Sequence, residues 1–227
     1  MGKTILTSKQ LNFLELAQIQ TSITKRFYLT GGTALSAFYL KHRLSEDIDL
    51  FSEQEINVPV VEAFLQSISH KLKIAKFLKE QFLGLYSYKF LYKDGDSLKV
   101  DFNYYPFPKI EKGTFFKKLE VSSLYDIAVN KIHTLGSRVR TRDYIDLYFI
   151  FKNTEYKPEK YLHRMRIDSQ AKFDWPLEPK HLLAAFLKVQ DLTERKDWPK
   201  MLIPFDQKNM EDFFLRLAKS LEKEIFE

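Results

Sequence analysis

The stretch Phe27–Phe51, FYLTGGTALSAFYLKHRLSEDIDLF, decides how the rest of the chain is read. It opens with a short β-prone run, Phe27 to Leu29, and turns through Thr30, Gly31, Gly32 and Thr33 into ALSAFYL, whose alanine and leucine favour helix. A glycine turn that opens a helix presents free backbone N–H groups at the positive end of the helix dipole, which suits phosphate. After Arg43 and Ser45 comes a second β-prone run, in which Asp47 and Asp49 are separated only by Ile48. Alternate residues of a strand face the same side about 6.6 Å apart, so both carboxylates can reach one cation. Hard carboxylate oxygens suit Mg²⁺, which commonly binds through one or two carboxylates together with substrate phosphates. A GG pair alone is usually a turn, and a lone D-x-D is usually a solvated strand end. Here Gly32 precedes Asp47 by fifteen residues, and the ordered pair reads as a site for a nucleotide and a metal.

Length and composition limit the alternatives. A chain of 227 residues with 44% hydrophobic and 29% charged content can form one large domain or two small ones with a real core. It has no cysteine, which excludes disulfides and thiolate zinc sites and fits a reducing compartment. The five histidines, His42, His70, His133, His163 and His181, show no ligand spacing, so zinc is not expected. No run approaches the ~20 apolar residues of a membrane span, and MGKTILTSKQ lacks the apolar segment of a signal peptide, so a cytoplasmic protein with no membrane partner is expected. Thirty-six Lys and Arg against thirty Asp and Glu leave a charge of +6, compatible with a polyanionic partner.

Along the chain, residues 8–25 read as an amphipathic helix and 59–75 as another after a polar loop. Leu83 to Tyr92 and SLKVDFNYY flank Asp94-Gly95, a strong hairpin signal. Alternation places Lys99, Asp101 and Asn103 on one face of the second hairpin strand. Asp101 then either joins Asp47 and Asp49, if the strands are neighbours, or lies on the solvent face of the hairpin. Pro106 and Pro108 are expected to end the sheet. Helices follow over about 123–135, stopping at Gly136, and from Arg142, with Asp143 and Asp146 sharing a face. Helical patterns over 158–167, 179–190 and 207–225 are separated by FDWPLEP and DWPKMLIP. Lys157, Lys160, His163, Arg164, Arg166 and Lys172 make this region basic, either as an RNA-backbone surface or as a solvated helix face.

The strings GGTAL and R-x-S-x-D-x-D-L-F resemble the first motif of the AbiEii/AbiGii-type nucleotidyltransferase toxins of the polymerase-β-like superfamily, and LKVDF and Lys131 followed by RDYIDLYF resemble two later ones. The resemblance is carried by about residues 25–150. It implies an α/β (α+β) fold: a polymerase-β-like nucleotidyltransferase core over 1–120 with a mixed or antiparallel sheet flanked by helices, and a helical C-terminal region over 121–227 completing the active-site cleft.

By the same resemblance, Asp47, Asp49 and Asp101 would hold Mg²⁺, or Mn²⁺ in its place, with Asp101 also acting towards the attacking hydroxyl. Gly31, Gly32, Thr33, Arg43, Ser45 and Lys131 would bind the NTP, and Asp47, Asp49, Asp101, Lys131, Asp143 and Asp146 would be catalytic. Asp143 and Asp146 have a second reading, in which one pairs with Arg142, Arg138 or Lys131 to hold two helices in register. The implied activity is nucleotide transfer from an NTP to an RNA hydroxyl, a tRNA 3′ end, by a toxin with an antitoxin partner. Transfer to a protein or small-molecule hydroxyl, and a non-catalytic NTP-binding protein, are the alternatives.

Overall fold

The computed structural model describes residues 5–192 and 198–226. Seven strands form one mixed sheet: β1 (Tyr28–Thr30), β2 (Asp47–Ser52), β3 (Ile74–Phe82), β4 (Leu85–Tyr92), β5 (Ser97–Tyr104), β6 (Thr114–Phe116) and β7 (Leu119–Val121), in the order β3-β4-β5-β2-β1-β7-β6. The β2–β5 and β1–β7 pairs are parallel and the others antiparallel. The chain divides into two compact units, residues 1–39 with 44–123 and residues 40–43 with 124–227. All seven strands lie in the first.

One face of the sheet is covered by two helices of the same unit. α1 (Ser8–Ala17) starts at Thr7, whose hydroxyl accepts from the Gln10 amide while the Gln10 side chain accepts from the Thr7 amide. After the short helix α2 (Thr21–Thr24) the chain enters β1. α3 (Gly31–Ala34) continues as a six-residue π-helix, Leu35–Leu40. α4 (Val58–Ser69) is capped by Asn57, and Pro59 in its first turn needs no hydrogen-bond partner there. Phe13 of α1 contacts Phe64 of α4 and Phe90 of β4 at ring separations of 6.0 and 5.7 Å. Leu98, Val100 and Phe102 of β5 and Ile48 and Leu50 of β2 point to this side and are buried. Each such residue contributes about 1.5–3 kcal/mol of burial free energy. The residues between them face the other way, and Asp47, Asp49 and Asp101 are among these.

The second unit contains α5 (Leu124–Ser137), α6 (Thr141–Asn153), α7 (Pro158–Phe173), α8 (Pro179–Leu187) and α9 (Gln207–Phe226). Tyr144 of α6 stacks edgewise on Phe214 of α9 and donates its hydroxyl to the Ala185 carbonyl at 2.6 Å. Residues 40–43 join this unit through a bridge between Arg43 and Met201.

Several expectations need correction. The helix expected over 8–25 is broken after Ala17, and the one over 59–75 ends at Ser69 because Ile74 already pairs with Tyr92. Residues 70–73 form a turn, and β3 begins at Ile74. Pro106 and Pro108 do not end the sheet, since β6 and β7 follow and Leu29 pairs with Val121. Gly136 lies inside α5, because the Leu177 side chain occupies the space a Cβ would need.

Candidate active site

The site in the first unit is assembled by strand register. β2 and β5 run side by side with Asp47 opposite Lys99 and Asp49 opposite Asp101, and Thr30 of β1 lies opposite Asp49 on the other side. Strand neighbours share a face, so three carboxylates and one ammonium occupy one patch about two strands wide. Asp101 is 6% exposed, which excludes the reading that places it on an open solvent face.

Gly31 completes the patch. Its φ of +71° is the left-handed conformation that glycine adopts without a penalty, and a Cβ there would lie 2.8 Å from the Asp49 carboxyl carbon. The turn backbone is therefore pressed against the carboxylate that it precedes in sequence by eighteen residues. Thr33 adds a second tie, its hydroxyl donating to the Asp47 carbonyl. On the far side, Gln10 of α1 donates its side-chain amide to the Ser45 carbonyl at 2.8 Å, which fixes the entry into β2.

Lys99, which the sequence places on the face of Asp101 without assigning it a role there, lies in this patch. Its Nζ lies 2.6 Å from Asp101 Oδ2. Burial alone would lower the Lys99 ammonium, but the bond to Asp101 and the charges of Asp101, Asp47 and Asp49 carry it above the ordinary lysine value. The other carboxylate oxygen, Asp101 Oδ1, is buried with no hydrogen-bond partner. An orphaned carboxylate oxygen beside two further aspartates is a donor set that fits a hard divalent cation. Among the described residues no group of three or more His, Asp or Glu side chains is placed to hold a metal ion by itself, so phosphate oxygens and water would have to supply much of the coordination shell.

Gly32 lies in α3 of the first unit, and Arg43, Lys131, Asp143 and Asp146 belong to the second. Asp146 Oδ1 receives Arg43 Nε at 2.6 Å and lies 2.8 Å from His42 Nε2, while Oδ2 receives Arg43 Nη2 at 2.8 Å and pairs with Lys131 Nζ at 2.6 Å. Lys131 also bonds Asp143 Oδ1 at 2.6 Å, and Asp143 Oδ2 is buried without a hydrogen-bond partner. Burial would raise the Asp146 carboxyl, yet Lys131, Arg43 and His42 hold it well below the usual carboxylate range. Burial likewise opposes the Lys131 charge, and Asp146 and Asp143 more than restore it.

Arg43, assigned to the nucleotide by the resemblance, is 2% exposed with its guanidinium fork on Asp146. The pairing of Asp143 and Asp146 with Lys131 is the second reading of those acids. Lys172 likewise departs from the expected basic surface, being buried and paired with Asp126 at 2.8 Å. Arg164 lies over the Tyr125 ring, and Lys157 bonds the Phe151 and Lys152 carbonyls.

Paired aspartates on the central strand of a mixed sheet, beside a glycine turn, fit the nucleotidyltransferase class. The chain belongs to the AbiEii family, described as the nucleotidyl transferase AbiEii toxin of a type IV toxin–antitoxin system, whose model matches residues 16–219. It is thus a nucleotidyltransferase of a toxin family. Solved structures share the fold. A candidate nucleotidyltransferase from Helicobacter pylori aligns with TM-score 0.58 at 18% identity over 96% of this chain and 97% of its own. JHP933 from Helicobacter pylori aligns with TM-score 0.52 at 20% identity over 96% and 94%. MenT4, a nucleotidyltransferase toxin from Mycobacterium tuberculosis, aligns with TM-score 0.54 at 15% identity over 94% and 83%. No curated protein matches the chain by sequence. Among the described residues no helix is long and apolar enough to cross a membrane.

Proposed function

We propose that this protein transfers a nucleotidyl group from an NTP to a hydroxyl of RNA, at a tRNA 3′ end, with Mg²⁺ held by Asp47, Asp49 and Asp101, and that an antitoxin protein restrains it. The observation that carries the reading is the register pair Asp49–Asp101 beside the Gly31 turn, because it gathers anionic ligands next to bare backbone. Bound Mg²⁺ would neutralise charge on the α-phosphoryl group and on the departing pyrophosphate.

The protein's own residues supply the rest. Asp47 and Asp49 would hold the cation and, through their fixed place on β2, set where the triphosphate can bind. Gly31, Gly32 and Thr33 take the phosphates on backbone N–H groups, close to Asp49 because no side chain intervenes. Asp101 Oδ1, whose partner Oδ2 is tied to Lys99, accepts the proton of the attacking hydroxyl or directs its oxygen. Lys99 keeps the patch from becoming a bare cluster of negative charge before substrate arrives. Arg43, Asp146, Lys131 and Asp143 act as a framework within the second unit.

The test is incubation of the protein with labelled NTPs and total cell extract, followed by RNase or protease. Label that disappears with RNase, requires a divalent cation and is absent with Asp49→Asn supports the reading. Label lost only to protease would move the acceptor to protein, and full transfer by Asp49→Asn would refute the site.

A further inference from the structure

Beyond the carboxylates, the same sheet face continues outward across β5, β4 and β3. Register carries it strand by strand: Asp47 lies opposite Lys99, Lys99 opposite Lys89, and Lys89 opposite Leu78. A second row runs from Asp49 through Asp101 and Ser87 to Glu80. On β3 this face bears Lys76, Leu78, Glu80 and Phe82, all exposed, with Phe82 at 70% and Leu78 at 39%. The helices α1 and α4 pack on the opposite face, through Phe13, Phe64, Phe77 and Phe90. The result is a sheet face, or shelf, extending about 14 Å from the Asp47 column, at roughly 4.8 Å per strand, in which Asp101 and Ser87 are buried and Lys89 and the residues of β3 on this side are exposed.

We infer that this shelf binds the single-stranded end of the RNA acceptor, an inference that rests on the proposed transfer to RNA and assigns the surface that would present the acceptor. Charge favours such an occupant: Lys76 and Lys89 face it on the outer two strands, against the single acid Glu80 among the residues of β3 and β4 that point to this side. Chemistry favours it too, because an exposed aromatic ring and an apolar neighbour among cations form a platform that takes bases of any sequence by stacking and the backbone by charge. Continuity with the carboxylates supplies the third reason. A strand lying across Phe82, Leu78 and Lys89 leads its terminal hydroxyl along the row that ends at Asp47. Basic residues of the second unit make a weaker candidate, since Lys172, Lys157 and Arg164 are already engaged within that unit.

The probe is a fluorescein-labelled mixed-sequence single-stranded RNA of about a dozen nucleotides, with binding followed by anisotropy over a salt series, without NTP or divalent cation. The wild type is expected to bind with a steep salt dependence. In Lys76→Gln/Lys89→Gln, two lost phosphate contacts should reduce the log–log salt slope by about 1.4 and weaken binding about tenfold at moderate salt. Phe82→Ala should weaken binding roughly fivefold or more with the slope unchanged, as a lost stacking contact would.

NTP affinity by calorimetry should be the same in all three proteins, which separates loss of the shelf from loss of the fold. RNA binding that is absent in the wild type, or that is unchanged in both variants, overturns the assignment, as does a protein partner found on these residues in place of RNA. The two readings fail separately. If the wild type transfers label to RNA while both variants bind RNA normally, the shelf falls and the activity stands. If RNA binding depends on Lys76, Lys89 and Phe82 while label goes to another acceptor, the shelf stands and the proposed acceptor falls.

Discussion

Arg43 and Asp146 meet in a two-point ion pair, Nε to Oδ1 at 2.6 Å and Nη2 to Oδ2 at 2.8 Å, with both side chains almost fully shielded from water. Arginine suits this position because its planar fork matches both carboxylate oxygens, which a lysine cannot do. Removing one partner leaves a buried charge uncompensated, at about 3–5 kcal/mol. Arg43→Ala is therefore expected to shift the urea midpoint strongly, and Arg43→Lys to recover only part of the loss. Unfolding of Arg43→Ala at the wild-type midpoint would mean that Lys131 alone satisfies Asp146.

The same cluster gives stability a pH dependence of known sign. Burial holds the His42 imidazole below its ordinary value, against the pull of Asp146 and with the charges of Arg43 and Lys131 adding to the fall. The unfolded chain therefore takes up this proton first as pH drops through about 6.5, and stability declines from there towards the folded-state value by up to about 1.4 kcal/mol per pH unit. His133, also lowered by burial, contributes in the same direction. A second decline begins below about pH 4, where the unfolded chain protonates the carboxyl that Asp146 keeps ionised in the fold. Urea midpoints between pH 7.5 and 5 should fall less steeply in His42→Gln than in the wild type. Parallel lines would assign the slope to other groups.

How much of this was legible in the sequence differs by element. The D-x-D strand, the Asp-Gly hairpin and the face shared by Lys99 and Asp101 follow from a period of two and from turn chemistry, both local properties. The strand β3 does not, because on a sheet edge its residues are mostly exposed on both faces and KIAKFLKEQF carries no alternation to read. β6 and β7 are three residues each, and β7 exists through its distant partner Leu29. The burial of Arg43 was equally invisible, since its partner Asp146 lies 103 residues away.

Gly31 and Gly95 offer a paired comparison. Both have positive φ, +71° and +84°, so alanine strains the backbone of each by about 1 kcal/mol. A Cβ at Gly95 meets nothing within 4 Å, whereas at Gly31 it collides with the Asp49 carboxylate. Gly95→Ala should lower stability slightly and leave transfer intact. Gly31→Ala should displace Asp49 and reduce kcat at least tenfold with a similar loss of stability, because misplacing a ligand by about 1 Å can cost ~100-fold in rate. Equal activities in a labelled-NTP assay would show that the contact between the turn and Asp49 has no catalytic consequence.

Asp101 and Lys99 separate chemistry from ground-state binding. Asp101→Asn keeps the shape of the side chain but removes the charge that Lys99 pairs with and the basic oxygen at Oδ1. If Asp101 acts on the acceptor hydroxyl, kcat should fall by about 10²–10⁴, the range of a lost general base, with the KM for NTP nearly unchanged. Lys99→Gln leaves the Asp101 charge in place and removes only its partner, so its effect on kcat should be far smaller. Because Asp101 is buried, losing its ammonium partner should also lower stability, though less than Arg43→Ala does, since Lys99 itself is partly exposed. A rise in the KM for NTP at constant kcat in Asp101→Asn would instead make this residue a ligand in the ground state alone. Loss of kcat to the same extent in Lys99→Gln would transfer the decisive role to the ammonium, whose position opposite Asp47 already brings it close to both acids of β2.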